Sequence, residues 1–158
     1  MPMLFNRAWA FLSRPHNKKE NKMNFFTDEQ KAKLLQNGTW ENRDQDHTPV
    51  VKLYMPGTRC IWLLNEMEPG YPEIAFGLCD LGMGFPELGY VSIDELASIN
   101  IEDVTIQRDD SFMPEYPMSV YARAARMEHE ITENKQVLLQ AQVNLEAERR
   151  NSIPFQPD

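Results

Sequence analysis

Five carboxylates stand where a folded chain could use them. Glu66, Asp80, Glu87, Asp109 and Asp110 fall at the ends of apolar, alternating segments or in the loops that join them. Converging carboxylates hold Mg2+ or Mn2+, which generates hydroxide and neutralises a leaving phosphate. Such a site needs its oxygens within about 4 to 5 Å of one cation. The pattern is weak, because 24 acidic residues in 158 make such coincidences common. The strand lysine, Lys52, is also flanked by Val51 and Leu53 instead of standing in a Glu-x-Lys pattern.

Other chemistries find less support. Ser92 and Ser111 lie outside any GxSxG turn, and His16, His47 and His129 are scattered, so neither a hydrolytic triad nor a zinc site has the required spacing. Gly82-Met83-Gly84 fits neither phosphate-loop motif. Cys60 and Cys79 sit in apolar segments and read as buried free thiols. Arg108 beside Asp109 suits an ion pair that holds the chain as it leaves a sheet. Trp62, Tyr54 and Tyr90 alternate with core positions or cap strand ends, which leaves part of one sheet face aromatic.

Charge divides the chain. Residues 1 to 23 hold five basic side chains against Glu20, a net of +4, and the remaining 11 basic and 23 acidic residues give the body a net of −12. A surface of that sign repels phosphate backbones and favours a partner with a basic face. Leu4, Phe5, Trp9 and Phe11 make the N-terminus apolar, but Asn6 and Arg7 interrupt the run and the basic residues follow it, unlike a secretory leader. No stretch reaches the length of a membrane span. The expected compartment is the cytoplasm.

The elements that must position these residues follow from local chemistry. Residues 1–22 read as a basic, disordered extension. Thr27 and Gln30 form a capping box opening a helix that Asn37-Gly38 ends through a left-handed residue. From Val50 the period is two: Val51 to Met55, Cys60 to Asn65, the segment around Ile74 to Leu78, Glu87 to Val91, and Val104 to Arg108 predict five strands. Pro56-Gly57 and Pro69-Gly70 supply short turns, so successive strands are antiparallel. Ser92 and Glu95 form a second capping box. The expected fold is α+β, an antiparallel sheet of about five strands with short helices on one face, spanning residues 23–118.

Residues 119–150 predict one long helix. Val120, Ala124, Met127, Ile131, Asn134, Leu138, Ala141 and Leu145 follow heptad spacing, with Asn134 the polar exception that could set register. Oligomerisation through residues 120–145 is one expectation, and packing of the helix's first half on the sheet is the other. Residues 151–158 read as a disordered tail.

The stretches VVKLYMPG, IWLLNE, IAFGLCDLG, PELGYVSIDEL and IQRDDSFMP, which begin at Val50, Ile61, Ile74, Pro86 and Ile106, resemble a bacterial domain-of-unknown-function family, number 2958. The ELGY-x-S-x-x-EL core and the following RD-x-x-F segment carry the resemblance. Ile61-Trp62-Leu63 stands where the family tends to have Thr-Trp-Tyr, and Ile106-Gln107-Arg108-Asp109 where it often has Ile-Glu-Arg-Asp. The resemblance implies small proteins of plasmids, integrative elements and phages, some labelled single-stranded DNA endonucleases. Glu66, Glu87, Gly89, Tyr90, Ser92, Glu95, Arg108, Asp109 and Phe112 match its motif. With Ser92 and Glu95 assigned to a cap, Gly89 to a strand and Phe112 to the core, the candidate binding surface is Glu66, Glu87, Tyr90, Arg108 and Asp109. The leading expectation is a non-enzymatic, acidic protein-binding accessory of a mobile element, without cofactor, acting against a host defence system. The alternatives are a nuclease using Mg2+ or Mn2+ on single-stranded DNA, and a structural dimerisation module.

Overall fold

The structure, a computed structural model, describes residues 18–152. Its element order is α1 (Lys18–Asn24), α2 (Asp28–Asn37), β1 (Val51–Tyr54), β2 (Cys60–Glu68), β3 (Tyr71–Leu81), β4 (Glu87–Ser92), α3 (Ile93–Ser98), β5 (Asn100–Ile101), β6 (Val104–Thr105), β7 (Gln107–Arg108), α4 (Met118–Glu128) and α5 (Lys135–Asn151). The expected α+β architecture is present. Five antiparallel strands lie in the order β4-β3-β2-β1-β7.

Local signals made the elements they advertise. Thr27 Oγ1 accepts the Gln30 amide at 3.1 Å and Gln30 Oε1 accepts the Thr27 amide at 2.9 Å, the full capping box. Ser92 Oγ accepts the Glu95 amide at 3.2 Å and opens α3. Gly38, however, is right-handed, with φ −81°. Its glycine is required for another reason: a Cβ there would lie 1.9 Å from the Met67 carbonyl oxygen of β2.

Strand alternation divides the core in two. Val51, Leu53, Trp62, Leu64 and Val91 face one side, where Leu34 of α2 and Ile93, Leu96 and Ala97 of α3 cover them. Leu63 and Leu78 face the other, beneath Val120, Tyr121, Ala124, Leu138 and Ala141 of α4 and α5. The short helices α2 and α3 therefore share one face, as expected, and the C-terminal helices cover the other and belong to the same packed unit as the sheet. Cys60 and Cys79 are buried and unpaired, and burial pushes the Cys79 thiol up to about 12.

Three expectations about extent are corrected. Residues 18–22 belong to helix α1, which packs on α3 through an Asn21 amide bond to the Ala97 carbonyl (3.2 Å) and a Lys22–Asp94 pair (2.7 Å); residues 1–17 and 153–158 of the expected extension and tail lie outside the described residues. The fifth strand is Gln107–Arg108 alone. Val104–Thr105 pairs instead with Asn100–Ile101, across a turn whose central residues Glu102 and Asp103 are both left-handed. Residues 119–150 are two helices, broken at left-handed His129 (φ 60°), with Asn134 as the N-cap of α5. Most of the apolar seam is buried against the sheet and between α4 and α5, while Met127 stays 38% exposed. No helix among the described residues is long and apolar enough to cross a membrane.

Candidate functional site

The structure distributes the five candidate residues over three places. Glu66 and Tyr90 come together, Glu87 stands at the free edge, and Arg108 and Asp109 lie at the opposite edge.

A β-bulge places Glu66. Its residue Asn65 interrupts the β2–β3 register between Leu64 and Glu66, and the Asn37 side chain at the end of α2 donates to the Asn65 carbonyl at 2.8 Å. Uninterrupted alternation would turn Glu66 inward with Trp62 and Leu64. The extra residue turns it to the other face, opposite Phe76, which in turn faces Tyr90 with ring centroids 5.1 Å apart. Burial raises the Glu66 carboxyl above its ordinary pKa, against the opposing pull of His47 and Arg43; Asp44 and Glu68 push it further up. Arg43 also lies 3.9 Å from Glu68 and over the ring of Trp40, which is 81% exposed.

Asp109 is committed to structure. Its Oδ2 is 3.0 Å from Lys52 Nζ, its Oδ1 accepts the Ser111 amide and hydroxyl at 2.9 and 2.6 Å, and its own amide donates to the Lys52 carbonyl. The Ser111 hydroxyl bond, followed by the Lys52 contacts, holds its carboxyl below the ordinary value despite some opposing desolvation. Lys52, 14% exposed, also bonds Glu133 and lies 6.0 Å from the Phe112 ring centroid. Burial alone would lower its pKa, but the bonds to Glu133 and Asp109 carry it above the ordinary value. Arg108 does not pair with Asp109: its Nε meets Asp110 at 2.6 Å, and its Nη1 donates to the Asn24 carbonyl at the end of α1.

Glu87 borders a groove of about 550 Å3 between the β3–β4 connection, β4 and α4. Leu78, Phe85, Leu88 and Ala122 supply its apolar wall, while Arg126 and His129 approach from the α4 side. Phe85 is 79% exposed and Leu88 44%, with Met83 exposed beside them. β4 pairs only with β3, and no backbone hydrogen bond satisfies its outward groups among the described residues. The opposite edge differs: β7 is two residues long and Arg108 ties it to α1. Sequence reading missed Lys52 as the partner of Asp109 and Glu133 as the second carboxylate on Lys52, and Arg126 and His129 as groove residues. A lysine alone among strand apolars signalled the first; nothing local signalled the others.

The convergence required for carboxylate-metal chemistry is not made. Glu87 and Asp109 stand at opposite edges of the sheet, and Asp80 is buried and bonded to the Gly82 and Ile131 amides. Among the described residues, no three His, Cys, Asp or Glu side chains form a group able to hold a metal ion.

No curated protein and no solved structure matches the chain. A family model described as a protein of unknown function, DUF2958, matches residues 25–132. That span runs from Phe25 through the whole sheet, α4 and the turn bearing Ile131, and includes all five candidate residues, so the chain belongs to the DUF2958 family.

Proposed function

We propose that the protein is a non-enzymatic protein-binding module whose contact surface is the β4 edge and the groove beside it. The observation that carries this reading is the exposure of Phe85 and Leu88 on and beside a six-residue strand whose outer backbone is unpaired among the described residues. Exposed apolar side chains beside an open edge mark interaction surfaces, since each costs solubility unless a partner covers it. The reading needs no cofactor. The dispersal of Glu66, Glu87 and Asp109 counts against a metal-dependent nuclease, and the net charge of −8 counts against a nucleic-acid partner. A cytoplasmic accessory role for a mobile element, directed at a host defence protein, belongs to the same proposal and is supported by the acidic body and the family resemblance.

Two measurements test it together. Photo-crosslinking in cells from position 85 should yield a discrete protein adduct that Leu88→Lys removes. Incubation with single- and double-stranded DNA and RNA in Mg2+ or Mn2+ should give no cleavage. Metal-dependent cleavage lost in both Asp109→Ala and Glu87→Ala would overturn the reading.

A further inference from the structure

The edge and groove together specify the chemistry of the segment that fits them, and this inference rests on the protein-binding reading above. A row of unpaired strand N–H and C=O groups is satisfied along its whole length by another extended backbone. Beside that row, Leu78, Phe85, Leu88 and Ala122 offer an apolar recess. Charge adds direction. Glu87 lies on β4 itself, so the Cβ of a residue paired opposite it comes within about 4.5–5.5 Å. Arg126 and His129 line the groove from the helix side, and neither they nor Glu87 have a polar partner among the described residues.

We propose that β4 takes up an extended segment of a partner protein by strand addition. The segment places an apolar residue against Leu88 and Phe85, a Lys or Arg opposite Glu87, and an Asp or Glu toward Arg126 and His129. The acidic body attracts a partner of basic net charge, and the groove then selects this arrangement of signs within the docked strand.

The test pans the full-length chain against random peptides displayed on phage, in parallel with Glu87→Lys, Arg126→Glu and Leu88→Lys. All three positions are exposed, so the fold tolerates the changes. The expected peptides alternate apolar and polar residues and carry one basic and one acidic position. Glu87→Lys and Arg126→Glu should each reverse the sign selected at the facing position, and Leu88→Lys should lower recovery about tenfold, as loss of a buried leucine contact does. Peptides without charge preference, or with a preference indifferent to the reversals, overturn the inference. Equal recovery by Leu88→Lys puts binding on another surface, which sinks strand addition and the β4 contact surface and leaves standing only that the chain binds protein. A dimer in sedimentation that Leu88→Lys dissociates shows the edge filled by a second copy and likewise overturns it. No enrichment together with metal-dependent nucleic-acid cleavage overturns both readings.

Discussion

The Ile131 amide donates to Asp80 Oδ2 at 2.9 Å, a buried bond across 51 positions of sequence that fastens the turn between α4 and α5 to the C-terminal end of β3. Asp80 Oδ1 accepts the Gly82 amide at 2.8 Å, so one carboxylate, 1% exposed, answers two backbone donors. Replacing it by Ala strands both amides, and a buried donor left without a partner costs about 1–3 kcal/mol. Asp80→Ala should therefore lower stability by about 3 kcal/mol in urea denaturation. An unchanged midpoint would show that the helical hairpin does not depend on this attachment.

Asn134 separates two accounts of the C-terminal region. Its Oδ1 accepts the Gln136 and Val137 amides at 3.0 and 3.3 Å, the work of an N-cap. Asn134→Leu should cost about 1 kcal/mol and leave the sedimenting mass unchanged. A coiled-coil seam would respond oppositely, gaining both stability and association.

The Lys52–Asp109–Ser111 cluster predicts a pH response. The folded pKa of Asp109 is depressed, so its contribution is present above the unfolded value near 3.8 and is lost as pH falls through the lower folded value. Ser111→Ala removes the leading cause. In this variant the Asp109 carboxyl should titrate closer to 3.8 by NMR, with a smaller loss of stability in acid. Titration at the original pH would show that Ser111 does not hold it.

Glu66 has the reverse sign. Its folded pKa is raised, so the stability linked to it is present below the unfolded value near 4.5 and declines as pH rises through the folded value. Glu66→Gln should raise stability at neutral pH by about 0.5 kcal/mol, the scale of a half-exposed substitution, and should flatten this decline. A destabilised variant would mean that His47 and Arg43 outweigh desolvation.

Particular residues show where sequence reading succeeded. Thr27 and Gln30 form their bonds within one helical turn, and the alternation of Val51, Leu53, Trp62 and Leu64 sorts side chains by face without distant help. The candidate site was less legible. Glu66 and Tyr90 meet only across β3, and Arg126, on the far side of the groove, lies 34 residues downstream of the end of β4. Asp109 looked available because its partner Lys52, itself bonded to Glu133, is close to it only in space.

By itself the sequence determined the starts of α2 and α3, the antiparallel order of the first three strands and the acidic character of the body, because caps, short turns and period-two burial are settled over a few residues. Tertiary structure decided which way Glu66 faces, through the Asn65 bulge held by Asn37. It also decided where the C-terminal helix breaks, since burial of Ile131 and its bond to Asp80 outcompete a continuous heptad seam. Both outcomes depend on distant partners, whose burial and hydrogen bonds override the local periodicity.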